Sequence, residues 1–428
     1  MRGPVGEVLT PELATALGRA ATAATGGKRP QVLVLRDTRE SGPMLEAALA
    51  AGIAAAGGDV WIAGVLPSAA ASILVRRHGL DLGAVVSASH NPWRDNGIKF
   101  FGRDGVKLDD QAEADIEARL SAAPTSTAVG RVRILEGALE DYLRELESVF
   151  RLDLAGRAVL LDCANGAASR AAPAAFERFG GSVDAVAVEP DGRNINEGCG
   201  STHVASLAER IASSSAEIGF AFDGDADRVL AVDRNGTVRD GDEIIALAAL
   251  HLRDSGRELG GTAVTVMTNY GFHQAMEETG IEVATTKVGD RYVIEELLRR
   301  GWTLGGEQSG HVIWTEFAPT GDGIAAALLV MEALGDRDLA ALAPFEKLPQ
   351  RLENVRIADR ASLDDATVLQ EAVEREQAEL EGRGRVLVRP SGTEPLVRLM
   401  VEAPSTEECE RVLARLAEVA RAELGASG

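Results

Sequence analysis

Four short polar stretches hold the residues of this chain that could do chemistry. Ser87-Ala88-Ser89-His90-Asn91-Pro92 follows the apolar run Ala84-Val85-Val86. Asp223-Gly224-Asp225-Ala226-Asp227-Arg228, Gly306-Glu307-Gln308-Ser309-Gly310-His311 and Arg389-Pro390-Ser391-Gly392-Thr393-Glu394-Pro395 lie further along. Ser89 is the candidate nucleophile. No G-x-S-x-G surrounds it, which excludes a hydrolase elbow. Side chains of adjacent residues rarely aim at one another, so Ser89 and His90 are not expected to form part of a triad. A phosphorylatable serine fits better. Once modified it carries nearly two negative charges and offers an oxygen to a metal. Lys99, just downstream, is placed to neutralise a transferring group.

In the second stretch carboxylates recur at every second position. An extended or irregular loop at that spacing turns Asp223, Asp225 and Asp227 to one side. Three hard oxygens at one point repel unless a cation sits there, and an oxygen-only set suits Mg2+. A calcium-binding EF-hand would need Gly at the sixth position and Glu at the twelfth. This chain has Arg228 and Arg234 there, and the loop follows a strand, so that motif is rejected. Glu307, Ser309 and His311 could exchange hydrogen bonds with vicinal sugar hydroxyls. The last stretch has the composition of an anion-binding nest: the Arg389 guanidinium, the hydroxyls of Ser391 and Thr393, and backbone N–H groups opened up by Gly392. Arg398 follows on the next strand. Each stretch alone also reads as an ordinary polar turn. Together they supply a nucleophile, a divalent-metal site, a sugar-hydroxyl reader and a phosphate clamp. That is the inventory for moving a phosphoryl group on a sugar phosphate. No Walker A or G-x-G-x-x-G pattern occurs, which argues against nucleotide-driven chemistry.

The elements that must position these loops alternate in type. Val32–Leu35, Val60–Ala63 and Ala84–Val86 read as strands, with helices over Met44–Ala56 and Ser68–His78 between them. Such alternation implies βαβ units and a parallel or mixed sheet, with Ser89 where a strand ends. The pattern recurs. Strands are expected at Ala158–Leu161, Ile218–Phe222, Val229–Val232, Ala263–Met267 and Glu282–Thr286, and helices at Glu243–Leu252, from Phe272, at Tyr292–Arg299 and at Gly323–Leu334. The last part differs: strands at Leu352–Ile357, Val386–Val388 and Val397–Val401, then an amphipathic helix from Thr406 to Leu424. The fold class is α/β. Three related α/β domains with mixed sheets are expected over 1–141, 142–242 and 243–350, and a smaller α+β domain over 351–428.

A chain of 428 residues is too long for one ordinary core, and 45% hydrophobic with 26% charged residues is ordinary for a globular protein. The net charge of −22 argues against a nucleic-acid partner. It also means that an anionic substrate must be drawn in by Arg and Lys gathered locally. Cys163, Cys199 and Cys409 are few, odd in number and widely spaced, as in a reducing compartment. No signal peptide or run of membrane-spanning length is visible, so no membrane partner and a cytoplasmic location are expected.

The four loops, in this order, resemble those of the α-D-phosphohexomutase superfamily over nearly the whole chain. Within it the chain is similar to the bacterial phosphoglucosamine mutases. The resemblance is carried by Ser87–Pro92 followed by Asp95-Asn96-Gly97-Ile98-Lys99-Phe100-Phe101, by Asn194-Ile195-Asn196 with Cys199-Gly200-Ser201-Thr202-His203, by Val288-Gly289-Asp290-Arg291-Tyr292-Val293, and by Glu307–His311. It implies four domains around a central cleft, each donating one loop. It implies interconversion of glucosamine 6-phosphate and glucosamine 1-phosphate through a phosphoserine and a bisphosphorylated sugar, toward UDP-N-acetylglucosamine. One Mg2+ per active site on Ser89, Asp223, Asp225 and Asp227 and a sugar bisphosphate as primer come with it. His90, Lys99 and Lys287 match basic positions of the family cleft, and Arg389, Ser391, Gly392, Thr393 and Arg398 would grip the phosphate that is not reacting. The partner is a small-molecule sugar phosphate, with a homodimer allowed for. The alternatives are a phosphomannomutase/phosphoglucomutase and a catalytically impaired sugar-phosphate-binding homologue. The last arises because family members begin with a strand and an F-G-T-x-G-x-R-G loop, of which only Arg2-Gly3 is present. Arg2 is then expected to fray, and a sheet edge or a helix face of the first domain to lie uncovered with exposed apolar surface.

Overall fold

The computed structural model describes residues 1–121, 128–357, 363, 365–390 and 395–425. The first sheet contains β1 (Arg2–Pro4), β2 (Gln31–Arg36), β3 (Asp59–Val65), β4 (Leu82–Val86), β5 (Asp95–Gly102) and β6 (Val132–Ile134), in the order β1-β5-β4-β2-β3-β6. Its centre is parallel, and β5 runs antiparallel to both β4 and β1. β4 is buried at every position, which explains its unbroken apolar run. The helix Ser68–His78 precedes it and stops at Gly79 in a left-handed conformation, with Arg76, Arg77 and His78 in its last turn.

Arg2 does not fray. It pairs with Gly97, Gly3 pairs with Asn96, and the chain's amino group donates to the Ile98 carbonyl at 3.2 Å. Backbone hydrogen bonding along β5 therefore fixes the terminus and covers the edge expected to be open.

The second sheet repeats the scheme with β7 (Ala158–Asp162), β8 (Ser182–Val186), β9 (Ile218–Phe222), β10 (Val229–Asp233) and β11 (Val238–Arg239), ordered β11-β10-β9-β7-β8. The third contains β12 (Thr262–Thr265), β13 (Val283–Thr286), β14 (Leu304–Gly306) and β15 (Val312–Trp314), ordered β13-β12-β14-β15. In each, parallel strands give way to an antiparallel partner: β9 to β10 and β14 to β15. The helix Gly323–Leu334 is buried along almost its whole length, and Asp322 caps it by accepting from the Ile324 and Ala325 N–H groups.

These three sheets belong to one compact unit, Met1–Met267 with Ile281–Ala343. A second unit contains Pro344–Gly428 and also Thr268–Gly280. It holds the antiparallel sheet of β16 (Gln350–Arg356), β17 (Arg385–Pro390) and β18 (Leu396–Glu402), ordered β16-β18-β17. The helix Thr406–Leu424 turns Cys409, Val412, Leu413, Leu416, Ala417 and Ala420 into its core. Thr268–Gly280 lies between β12 and β13 in the chain, yet its helix Tyr270–Glu278 is fixed by this unit. The fully buried Glu402 accepts from the Tyr270 N–H at 2.9 Å, and Phe272 meets Phe345 edge-on at 6.0 Å.

Candidate active site

The chemistry-bearing loops are the turns between consecutive antiparallel strands. Ser89 lies between β4 and β5, the aspartates between β9 and β10, and Glu307 to His311 between β14 and β15. Ser89 is buried, with φ at +54°. For a residue with a Cβ this left-handed conformation costs about 1–2 kcal/mol. Its Oγ donates to Asp223 Oδ2 at 2.5 Å and lies 3.3 Å from His90 Nδ1. The two neighbours thus do meet, against the sequence expectation, because the left-handed turn brings successive side chains to the same side. Burial lowers the His90 pKa, helped by the charges of Arg228 and Arg2.

Asp223, Asp225 and Asp227 each place a carboxylate oxygen within 4.8 Å of the others. The loop is braced from the first domain. Ser68 donates its hydroxyl to Asp225 Oδ2 at 2.6 Å, and Lys99, rising from β5, donates to the same oxygen at 2.7 Å and to Asp227 Oδ2 at 3.4 Å. Gly224 presses on the nucleophile's backbone: a Cβ there would lie 2.6 Å from the Ser89 carbonyl oxygen. Burial opposes the charged form of all three aspartates. Asp223 is raised well above the usual carboxylate range by that burial and by Asp227 and Asp225. Burial also pushes on Asp225 and Asp227, but Lys99 holds both low, with His311 and Arg228 adding to the effect on Asp227. Lys99 is in turn raised, since the two carboxylates outweigh its burial.

Asp225 Oδ1 and Asp227 Oδ1 are buried and accept no hydrogen bond. Buried carboxylate oxygens with free lone pairs are costly unless a cation takes them. The triad therefore fits a divalent metal bound by hard oxygens.

His311 is buried with Nδ1 3.7 Å from Asp227 Oδ1. Burial lowers its pKa, but Asp227 and Asp290 more than offset this and raise it. The imidazole packs on Gly321, where a Cβ would fall 2.4 Å from the ring. The Asp290 carboxylate accepts from Lys107 Nζ at 2.9 Å and from the Arg291 N–H at 2.9 Å. Burial works against its charge, yet His311 and Lys107 bring it down to about 2. Glu307 is buried and accepts from the Gly289 N–H at 3.0 Å. Ser309 is exposed. Lys287 is exposed too, with its ammonium 6.0 Å from the Tyr292 ring centre. Among the described residues no hydrogen bond or ion pair joins it to Ser89 or the aspartates.

In the second unit Arg389 and Arg398 are direct cross-strand partners on β17 and β18. Burial and the Arg398 charge together lower the Arg389 pKa, and Arg398 Nε is buried without a hydrogen-bond partner. Facing like charges destabilise a sheet unless an anion lies between them. Ser391, Gly392 and Thr393 lie outside the described residues.

Sequence reasoning missed Ser68, Asp290 and the structural weight of Arg228, whose backbone N–H donates to Asp223 Oδ1 at 3.1 Å. A serine at a helix start looks like a cap, and only the fold shows that it faces Asp225.

The chain matches, in order, the four domains of the phosphoglucomutase/phosphomannomutase family: domain I over residues 1–126, domain II over 140–236, domain III over 240–351 and the C-terminal domain over 352–419. It belongs to that family and is an isomerase of the phosphotransferase type. It is 50% identical over 433 aligned residues to a protein named phosphoglucosamine mutase from Moorella thermoacetica, covering 98% of this chain and 97% of that one. It is 48% identical over 431 residues to one of the same name from Pelotomaculum thermopropionicum, covering 98% and 97%. Among solved structures, a phosphoglucomutase/phosphomannomutase family protein from Burkholderia thailandensis superposes with a TM-score of 0.83 at 26% identity, covering 99% of this chain and 96% of that one.

Proposed function

We propose that the chain interconverts glucosamine 6-phosphate and glucosamine 1-phosphate. The observation that carries this reading is the bond from Ser89 Oγ to Asp223 Oδ2, which sets a hydroxyl nucleophile directly on a carboxylate triad. The curated relatives' name supplies the amino sugar. Ser89 carries the phosphoryl group. It donates it to O1 of the 6-phosphate, the bisphosphorylated sugar turns over without leaving, and Ser89 takes back the group from O6. Asp223, Asp225 and Asp227, with an oxygen of the modified Ser89, would hold one Mg2+. When bound, that ion offsets negative charge on the transferring group. Lys99 adds a fixed positive charge at the same point. His90, Lys287 and His311 are the groups available to move protons to and from the sugar hydroxyls, and Glu307 and Ser309 read those hydroxyls. Arg389, Ser391, Gly392, Thr393 and Arg398 hold the phosphate that is not reacting. A sugar bisphosphate serves as primer for Ser89.

This reading keeps four functional bodies, 1–141, 142–242, 243–350 and 351–428, in a cytoplasmic protein, with a homodimer allowed for. No described helix is long and apolar enough to cross a membrane. The deciding assay supplies glucosamine, glucose and mannose 6-phosphates side by side, with a bisphosphate primer and Mg2+. The specificity constant should be highest for the amino sugar. A preference for a neutral hexose would assign the chain to phosphomannomutase or phosphoglucomutase chemistry instead.

A further inference from the structure

Arg39 has no exposed surface, an unusual state for a guanidinium. It follows β2 and lies beneath the Ser89 turn. Its Nε donates to Asp37 Oδ2 at 2.9 Å. Nη2 donates to the carbonyls of Ser89 at 2.7 Å and Asn91 at 2.8 Å. Nη1 donates to the carbonyls of Pro92 at 2.5 Å and Asp95 at 3.0 Å. One side chain thus gathers three carbonyls of the nucleophile's loop and one at the start of β5, using the fork geometry that a lysine lacks.

Asp37, also fully buried, closes the circuit. It accepts from the Ser87 hydroxyl at 2.6 Å, and the Ser87 oxygen accepts from the Ser89 N–H at 2.9 Å. The amide and the carbonyl of Ser89 are therefore both tied to a single buried ion pair. Asn196 adds a third restraint, donating to the Ser89 carbonyl at 3.0 Å. A serine at φ +54° would relax to the ordinary regions unless its surroundings over-determined it. These bonds do so, and Oγ is the one hydrogen-bonding group of the residue not tied to the Asp37–Arg39 pair: it donates to Asp223.

We infer that Arg39, through its pair with Asp37, is the positioning residue for the phosphoryl carrier: it holds Ser89 in the left-handed turn that points Oγ at the aspartate triad. Arg39 touches neither substrate nor metal in this role. The inference rests on the reading of Ser89 as the phosphoryl carrier. A displacement of a reacting group by about 1 Å can cost on the order of a hundredfold in rate.

The test uses the full chain with Arg39→Lys and Asp37→Asn. Phosphoryl uptake from a sugar bisphosphate counts competent sites, and kcat and KM for glucosamine 6-phosphate are then expressed per competent site. Arg39→Lys should lower kcat per site by about a hundredfold, with KM within about threefold of wild type. In Arg39→Ala, added guanidinium should recover part of kcat and added ammonium should not. A structural role alone would lower the number of competent sites and leave kcat per site unchanged. That result, or a rate per site within about threefold of wild type, would overturn the inference. If the Arg39 variants do not fold, Ser87→Ala severs only the link between Asp37 and the Ser89 N–H, and it should lower kcat per site by about tenfold. Unchanged turnover there would also overturn it. A wild type that neither accepts the phosphoryl group nor turns over would defeat the functional reading first.

Discussion

Ser89 Oγ is a buried hydroxyl bonded to Asp223 of the metal-type triad and sits in a turn, whereas Ser68, the other buried hydroxyl on the triad, braces Asp225 from the start of a helix. Ser89→Ala should abolish phosphoryl transfer while leaving the melting temperature near wild type, since the turn is held through backbone atoms. Mass spectrometry should find one phosphoryl group on part of the purified wild type and none on the variant. Wild-type-like turnover by Ser89→Ala would end the assignment. Gly321→Ala tests His311. A Cβ 2.4 Å from the imidazole must displace the buried ring, whose Nδ1 lies 3.7 Å from Asp227 Oδ1. A loss of about tenfold or more in kcat is expected, within the usual range for a misplaced proton-transfer group. An unchanged rate would remove His311 from the chemistry. Ser89, Lys99, the aspartates, Glu307 and His311 were all legible in the sequence, because short runs of functional residue types in loops are conspicuous. Asp37 and Arg39 were not. A charged pair after a strand looks like surface, and nothing in its composition reveals that both side chains are fully buried.

The elements were most legible where end signals and periodicity agreed. The helices Ser68–His78, Gly323–Leu334 and Thr406–Leu424 have the limits their patterns predict. β5 was invisible as a strand although it carries Lys99, since Asp95-Asn96-Gly97 opens it with residues that usually mark turns. β1 and β6 are too short for any periodicity to register. The cap of Gly323–Leu334 carries a pH signature. Burial pushes the Asp322 carboxyl up to about 6, although Tyr142 Oη and two helix N–H groups favour the charged form. Its unfolded value is about 3.9. The folded protein therefore holds this proton more tightly, and the associated stability is full below about pH 4 and lost as pH rises through the folded value. Asp322→Asn keeps the cap without the titration. Urea unfolding at about pH 5 and about pH 7.5 should show the variant gaining on wild type at the higher pH. An unchanged difference between the two would mean that the carboxyl is already ionised at the lower one. The facing pair Arg389 and Arg398 gives a second test. Arg398→Gln should weaken substrate and sugar bisphosphate alike, by roughly 1.5–3 kcal/mol. Calorimetric titration showing unchanged affinity for both would separate this loop from phosphate binding.

For the whole molecule, the sequence disclosed the alternation of strand and helix and hence the α/β class, but not how chain order maps onto compact units. Chelation of divalent metal should stop turnover, and Mg2+ should restore it. Full activity after chelation would make the aspartate loop a turn and no more. Truncation after Ala343 should do more than delete the final residues. It should strip the partners from Tyr270–Glu278, exposing Phe272 and Met276, which are fully buried in the intact chain. The truncated protein is expected to bind a hydrophobic dye strongly and to melt below the full chain. Equal melting and no dye binding would show that this helix has other support.

The dispersed origin of the second unit has a consequence for how the protein is made. The Tyr270 amide finds its acceptor in Glu402, 132 positions later. At ~5–20 residues per second, a ribosome needs on the order of ten seconds to synthesise that span. Throughout that interval Phe272 and Met276 are outside the exit tunnel, or entering the open, without the core that will cover them. The first unit can close around its own sheets before synthesis ends, whereas this helix must wait for the last strand. Cotranslational chaperone binding should therefore concentrate on nascent chains whose exposed end lies between about Gly280 and Glu402, and should fall away once β18 has emerged.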